Sequence, residues 1–242
     1  MAKIRIIPRL DIKNSNLIKT INLDGLKVIG NPNKFAIDYY KKGADELLFM
    51  DSVASLYGRN NIAEIITGLS KDIFIPITVG GGIRSIKDAL AMFKSGADKI
   101  SINTAAIENP KLIKELSKEF GSQSLVISIE AKKIGKAKWV AFKHNGRDNT
   151  NLDVVEWAKK ATDNGAGEIL ITSIDNEGLN TGLDFDLFKE ILIKIKIPII
   201  LGGGFRSLKD ATTAKKLKVD AIAISGALHY KKINIKDIKK KL

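Results

Sequence analysis

The chain has 242 residues, 44% of them hydrophobic and 28% charged, enough to build one large core or two small ones. It has no cysteine and two histidines, His144 and His229, far apart in sequence, which excludes a disulfide framework or thiolate metal site and argues against a histidine metal cluster. The formal net charge is +13, but the lysines are scattered and not interleaved with aromatics, so the excess reads as solvated helix faces and not as a nucleic-acid surface.

From the N-terminus, MAKIRIIPRLDIK holds an apolar run too short for a signal peptide, and no later run approaches the roughly 18 residues of a membrane span. A cytoplasmic protein is expected. Residues 4–10 predict a first strand, followed by strands at 46–50, 75–79, 98–102, 124–129, 168–172, 197–201 and 220–224. Amphipathic helices are predicted at 33–42, 60–70, 85–95, 110–118, 153–163, 184–194 and 207–217, with a last one near 234–241. Strands alternating with helices imply a parallel sheet. Eight such units of roughly 30 residues match a closed (β/α)₈ barrel, an α/β fold forming a single domain over residues 1–242. Residues 11–31 and 131–151 exceed minimal turns and are expected as long loops on the rim that carries function in such barrels.

The chain also repeats itself. GADELLF at 43–49 returns as GAGEILI at 165–171, IPITVGGGIRSIKDA at 75–89 as IPIILGGGFRSLKDA at 197–211, and DKISINT at 98–104 as DAIAISG at 220–226. The spacing is 122 residues each time, so the second to fourth strands map onto the sixth to eighth. This period is too long for a solenoid and describes two half-barrels in one body. Gly81 and Gly82 after the third strand, with Asn103 and Thr104 after the fourth, are therefore duplicated by Gly203 and Gly204 after the seventh, with Ser225 and Gly226 after the eighth. Glycines there let backbone N–H groups approach an oxyanion. Two phosphate sites on opposite sides of one mouth imply a long ligand with a phosphate at each end. Asp11 and Glu130 end the first and fifth strands, four apart, and face each other between those sites, where paired carboxylates suit general acid–base work. Asp51, Asp175 and Glu177 also end strands and are read as groups bonding loops or supporting the site. Arg5, Glu46, Lys99 and Glu168 begin strands, with alternating sign; on chemistry alone they read as a stabilising ion cluster at the barrel bottom.

The runs RIIPRLDIK, DELLFMD, TVGGGI, GADKISINTAA, GAGEILITSID and SGALHY give the chain a resemblance over essentially its whole length to the cyclase subunits of imidazole glycerol phosphate synthase, of histidine biosynthesis. The resemblance implies a partner glutaminase docked at the barrel bottom, with Asp98 contacting it. Arg5, Glu46, Lys99 and Glu168 become a gate through which ammonia enters the barrel. At the top, Asp11 and Glu130 become acid and base acting on a bisphosphorylated nucleotide. Gly178 joins the phosphate-binding set, and Lys19 and Thr172 become further substrate contacts. No cofactor, metal, nucleic acid or membrane is implied. The chain departs from the family at the top: Glu130 stands for an aspartate, Arg9 for a cysteine, Glu177 for an aspartate, and the first loop, DIKNSNLIKTINLDG, lacks the usual DG after its lysine. Three other readings stay open: an ammonia-delivering subunit of a surface-polysaccharide sugar amidation system, the sister isomerase, and a silent scaffold that activates a glutaminase.

Overall fold

The computed structural model describes residues 3–52, 54 and 62–242. Strand β1 (Arg5–Lys13) is buried from Ile6 to Ile12, the near-continuous burial expected of a parallel strand covered on both faces. Strict alternation sorts its side chains. Ile7 points into the barrel with Leu48, Val126, Leu170, Ile200, Ala221 and Ala223, while Ile6, Leu10 and Ile12 join the larger core under the helices. The other barrel strands are β4 (Leu47–Asp51), β5 (Ile77–Gly80), β6 (Lys99–Ile102), β7 (Leu125–Gly135), β10 (Glu168–Ser173), β11 (Ile199–Gly202) and β12 (Ala221–Ile224). They pair in parallel in the order β10-β11-β12-β1-β4-β5-β6-β7, and β10 pairs with β7 to close the ring. The predicted (β/α)₈ barrel is thus observed.

The helices are α1 (Pro32–Lys41), α2 (Ile62–Leu69), α3 (Ile86–Lys94), α4 (Thr104–Glu108), α5 (Lys111–Phe120), α6 (Val154–Asp163), α7 (Phe185–Lys194), α8 (Leu208–Lys216), α9 (Gly226–His229) and α10 (Ile235–Lys239), among the described residues. Residues 60 and 61 of the predicted second helix lie outside those residues. The short α4 and α9, after the fourth and eighth barrel strands, were not foreseen; they occupy duplicated positions.

The two expected long loops prove to be antiparallel hairpins. Beyond β1 come β2 (Asn16–Ile21) and β3 (Asp24–Gly30), with β1 pairing β2 and β2 pairing β3. β7 likewise runs past the barrel rim and pairs with β8 (Lys138–Lys143), which pairs with β9 (Asp148–Asp153). A strand that continues beyond the rim loses its parallel neighbours, and its backbone groups need new partners, which a hairpin supplies.

The half-barrel repeat reaches into the hydrogen bonds. Leu47 N donates to Pro76 O at 2.9 Å and Ile169 N to Pro198 O at 3.0 Å. Asp98 accepts from Ile77 N at 2.8 Å and Asp220 from Ile199 N at 2.9 Å. Each pair of bonds differs by the same 122 residues. These aspartates bond backbone at the N-terminal rim, where a strand's first N–H would otherwise lack a partner. Replacing Asp220 by alanine should cost about 1–3 kcal/mol, and by asparagine less, because the amide oxygen still accepts. Urea unfolding of the two variants measures the difference.

Candidate active site

The functional residues are placed by three features: the C-terminal ends of the strands, the glycine turns after them, and the two hairpins. Gly81 and Gly203 adopt φ of +98° and +91°. A Cβ on Gly203 would stand 2.6 Å from Ser173 O, so the position admits glycine only. The turns approach the short helices α4 and α9. Their leading residues, Asn103 (φ −128°, ψ −81°) and Ser225 (φ −115°, ψ −85°), share one unusual conformation, and neither side chain caps its helix. By contrast, α1, α3, α6 and α7 carry side-chain caps from Asn31, Ser85, Asp153 and Asp184. Uncapped first-turn N–H groups facing a glycine turn are donors suited to an anion.

Two separate clefts result. One is lined by Gly81, Gly82, Asn103 and Thr104 with Ser101, Asn145 and Glu130. The other is lined by Lys19, Gly178, Gly203, Gly204, Ser225 and Gly226 with Arg9 and Glu177. The structure therefore gathers the sequence-predicted anion-binding residues into two groups, as their duplication implies. In the second cleft Lys19 forms an ion pair with Glu177, which also accepts from Ser225 Oγ at 3.4 Å.

Glu130 lines the first cleft, and Arg9, which bonds Asp11, lines the second. Asp11 is buried; its Oδ1 accepts from Arg9 Nε at 2.9 Å, and its Oδ2 is buried without a partner. Arg9 also donates from Nη1 to Thr172 Oγ1 at 3.0 Å, so Thr172 meets an arginine. Glu130 is buried and accepts from Gly146 N at 2.7 Å. Burial pushes its carboxyl up to about 7, against the pull of the Gly146 N–H and of Arg9, while Asp11 adds to the rise. Of the supporting carboxylates, Asp51 accepts from Ala54 N and Asp175 from Lys133 N, both bonds to backbone.

Sequence reasoning left two features of the rim out of the site. In the sequence Arg9 stands out only as a departure from the family that the chain resembles. The turn His144-Asn145-Gly146, three successive left-handed residues, holds Glu130 through Gly146, meets Thr104 Oγ1 through His144 N, and reaches Leu23 O of the first hairpin through Asn145 Nδ2. Its Asn-Gly pair is a turn signal available in the sequence.

At the opposite end Arg5 bonds Glu46 at 2.8 Å and also bonds Glu168, while Lys99 bonds the same two carboxylates at 3.0 and 3.1 Å. Thr78 Oγ1 donates to Glu46 at 2.6 Å. Four side chains, three from the starts of β1, β6 and β10 and Glu46 from just before β4, form one neutral ring across the barrel floor. Asp98 is exposed on the same rim. Among the described residues no group of three or more histidines and carboxylates could hold a metal ion.

A profile of the family described as histidine biosynthesis protein matches residues 5–234. Similar proteins named imidazole glycerol phosphate synthase subunit HisF include one from Legionella pneumophila, 52% identical over 87% of this chain and 99% of its own. One from Dehalococcoides mccartyi is 42% identical over 100% of this chain and 96% of its own. A third, from Bacillus cereus, is 42% identical over 98% and 95%.

Glu130 carries a consequence for stability. Its folded carboxyl titrates at about 7 against an ordinary 4.5, so between those values the native state holds a proton that the unfolded chain has lost. Stability therefore falls as pH rises through that window, by up to roughly 3 kcal/mol, and is level above it. Glu130→Gln should melt with the wild type near pH 4.5 and clearly higher at pH 8. Thermal unfolding at the two pH values checks this.

Proposed function

The chain belongs to the histidine biosynthesis protein family, and on that premise we propose that it is the cyclase subunit of imidazole glycerol phosphate synthase. In this reading ammonia from a partner glutaminase adds to a bisphosphorylated ribulosyl-formimino carboxamide nucleotide. The products are imidazole glycerol phosphate and an aminoimidazole carboxamide ribotide. The observation that carries the reading is a pair of buried carboxylates beside two duplicated clefts, Glu130 lining one and Asp11 bonded to Arg9 of the other. A substrate with a phosphate at each end spans those clefts and lays its reacting centre over Asp11 and Glu130.

The two carboxylates divide the work by environment. Asp11, paired with Arg9, serves as the base. Glu130, buried and half-protonated near neutral pH, serves as the acid. Gly81, Gly82, Asn103 and Thr104 take one phosphate; Gly178, Gly203, Gly204, Ser225 and Gly226 take the other. Lys19 leaves Glu177 to join the second phosphate, which lies within its reach: its Cε stands 3.4 Å from where a Cβ on Gly226 would be.

Ammonia enters from below. The ring of Arg5, Glu46, Lys99 and Glu168 closes the floor by direct ion pairs, so one of them opens for passage. The partner docks on this face, where Asp98 is exposed. The sugar-amidation alternative is not favoured by full-length relatives that carry the synthase name.

With ammonium salt as nitrogen source, Asp11→Asn and Glu130→Gln should each lower kcat about 100-fold or more. KM for the nucleotide should change little, because the phosphates dominate binding. Steady-state kinetics of the isolated barrel decides the matter: absence of wild-type turnover ends the cyclase reading. With the glutaminase present, Lys99→Ala should depress glutamine-dependent turnover more than ammonium-dependent turnover.

A further inference from the structure

Among the described residues Arg9 is the one buried arginine, its side chain 5% exposed. A guanidinium taken out of water costs several kcal/mol unless it is paired, and an unpaired one does not persist. Here Nε is fixed on Asp11 Oδ1 at 2.9 Å and Nη1 on Thr172 Oγ1 at 3.0 Å. One rigid planar fork is thus fastened to two barrel strands, β1 and β10, a geometry that lysine cannot copy.

The charged groups around it come from every side of the mouth. Asp11 comes from β1, Glu130 from β7, Glu177 from the turn after β10, and Lys19 from β2 through its pair with Glu177. His229 of α9 faces the Arg9 backbone and lies 2.6 Å from the Tyr39 hydroxyl; burial, with the nearby charge of Lys19, keeps it neutral, its imidazole lowered to about 4. Two cations, Arg9 and Lys19, offset two carboxylates, Asp11 and Glu177. Glu130 completes a neutral cluster only while it carries a proton.

We propose that Arg9 is the positioning residue of the reaction centre: it fixes Asp11 by one oxygen so that the other faces the acceptor, and its charge acts on Glu130 across the mouth. The unpartnered Oδ2 of Asp11 is the atom left for chemistry. The inference rests on the acid–base reading of the mouth given above, but the charge arrangement itself does not depend on the acceptor.

The test compares Arg9→Met and Arg9→Lys with the wild type. In the free barrel, carboxyl ¹³C NMR should place the wild-type Glu130 midpoint at about 7. Removing the nearby cation in Arg9→Met should raise it by about one unit, and Arg9→Lys should leave it near the wild type. In ammonium-dependent turnover, Arg9→Met should lose about 100-fold in kcat, the scale of a misplaced catalytic group. KM for the nucleotide should stay within about threefold, and the alkaline limb of the pH profile should move upward with Glu130. Arg9→Lys should restore the position of that limb but only part of kcat. An unchanged Glu130 midpoint in Arg9→Met, or a loss confined to KM, overturns the proposal; the latter makes Arg9 a phosphate ligand. If the wild type itself does not turn over the nucleotide, the cyclase reading fails while the titration still decides the role of Arg9. If Arg9→Met does not fold by circular dichroism, Arg9→Gln takes its place against Arg9→Lys in both measurements.

Discussion

Pairing between β7 and β10 closes the sheet, and that closure is the constraint on which the other features depend. An open sheet of the same eight strands would spread its C-terminal ends along one edge. Closed, it gathers them on one rim and brings strands four apart face to face. The duplicated sequence then has a geometric result: whatever the first half places at the rim, the second half places opposite. The turns at Gly81 and Gly203 and the uncapped α4 and α9 obey this two-fold relation, and so do the two hairpins beyond β1 and β7. The relation survives even where the side chains have diverged, because the bonds from Asp98 and Asp220 to the neighbouring strand fix the same register in both halves.

The same closure makes buried charge tolerable. At the floor, Arg5, Glu46, Lys99 and Glu168 alternate in sign, so each is bonded to both of its opposites. Burial works against the Arg5 charge, and its pairing with Glu168 and Glu46 together more than offsets that. At the mouth, Arg9 and Lys19 stand among three carboxylates. Between the two clusters lies an apolar layer of Ile7, Leu48, Val126, Leu170, Ile200, Ala221 and Ala223. A charged ion would have to shed its hydration to cross that layer, whereas a small neutral molecule would not.

The sequence made legible what depends on local pattern. Alternation in RIIPRLDIK, the glycine runs and the 122-residue period were enough to place the barrel strands within two residues of where they begin, and to sort the duplicated glycine-turn residues into two separate clefts. What escaped depends on partners distant in the chain. Arg9 in a strand that also carries Arg5, Asp11 and Lys13 gives no hint of burial, because Thr172, which accepts from it, lies 163 positions away. The Lys19–Glu177 pair is separated by 158. The hairpins were read as loops although KWVAFK has strand character, since pairing with the extended end of β7 is visible only once β7 is seen to overrun the rim.

The longer acid at position 130 finds its physical explanation in one of those hairpins. An added methylene gives a carboxyl group more freedom and a different reach, and both harm a group that must meet one reacting atom. Here the turn at residues 144–146 removes the freedom. Gly146 N binds Glu130 Oε2, His144 N is tied to Thr104, and Asn145 is tied to Leu23 on the opposite hairpin. The carboxyl is therefore held from outside by a turn that is itself braced against two other rim elements. Arg9 meets the same need from inside the barrel for Asp11. A longer acid and a buried arginine thus belong together: each carboxylate is fixed by a separate support, Glu130 by Gly146 N and Asp11 by Arg9 Nε.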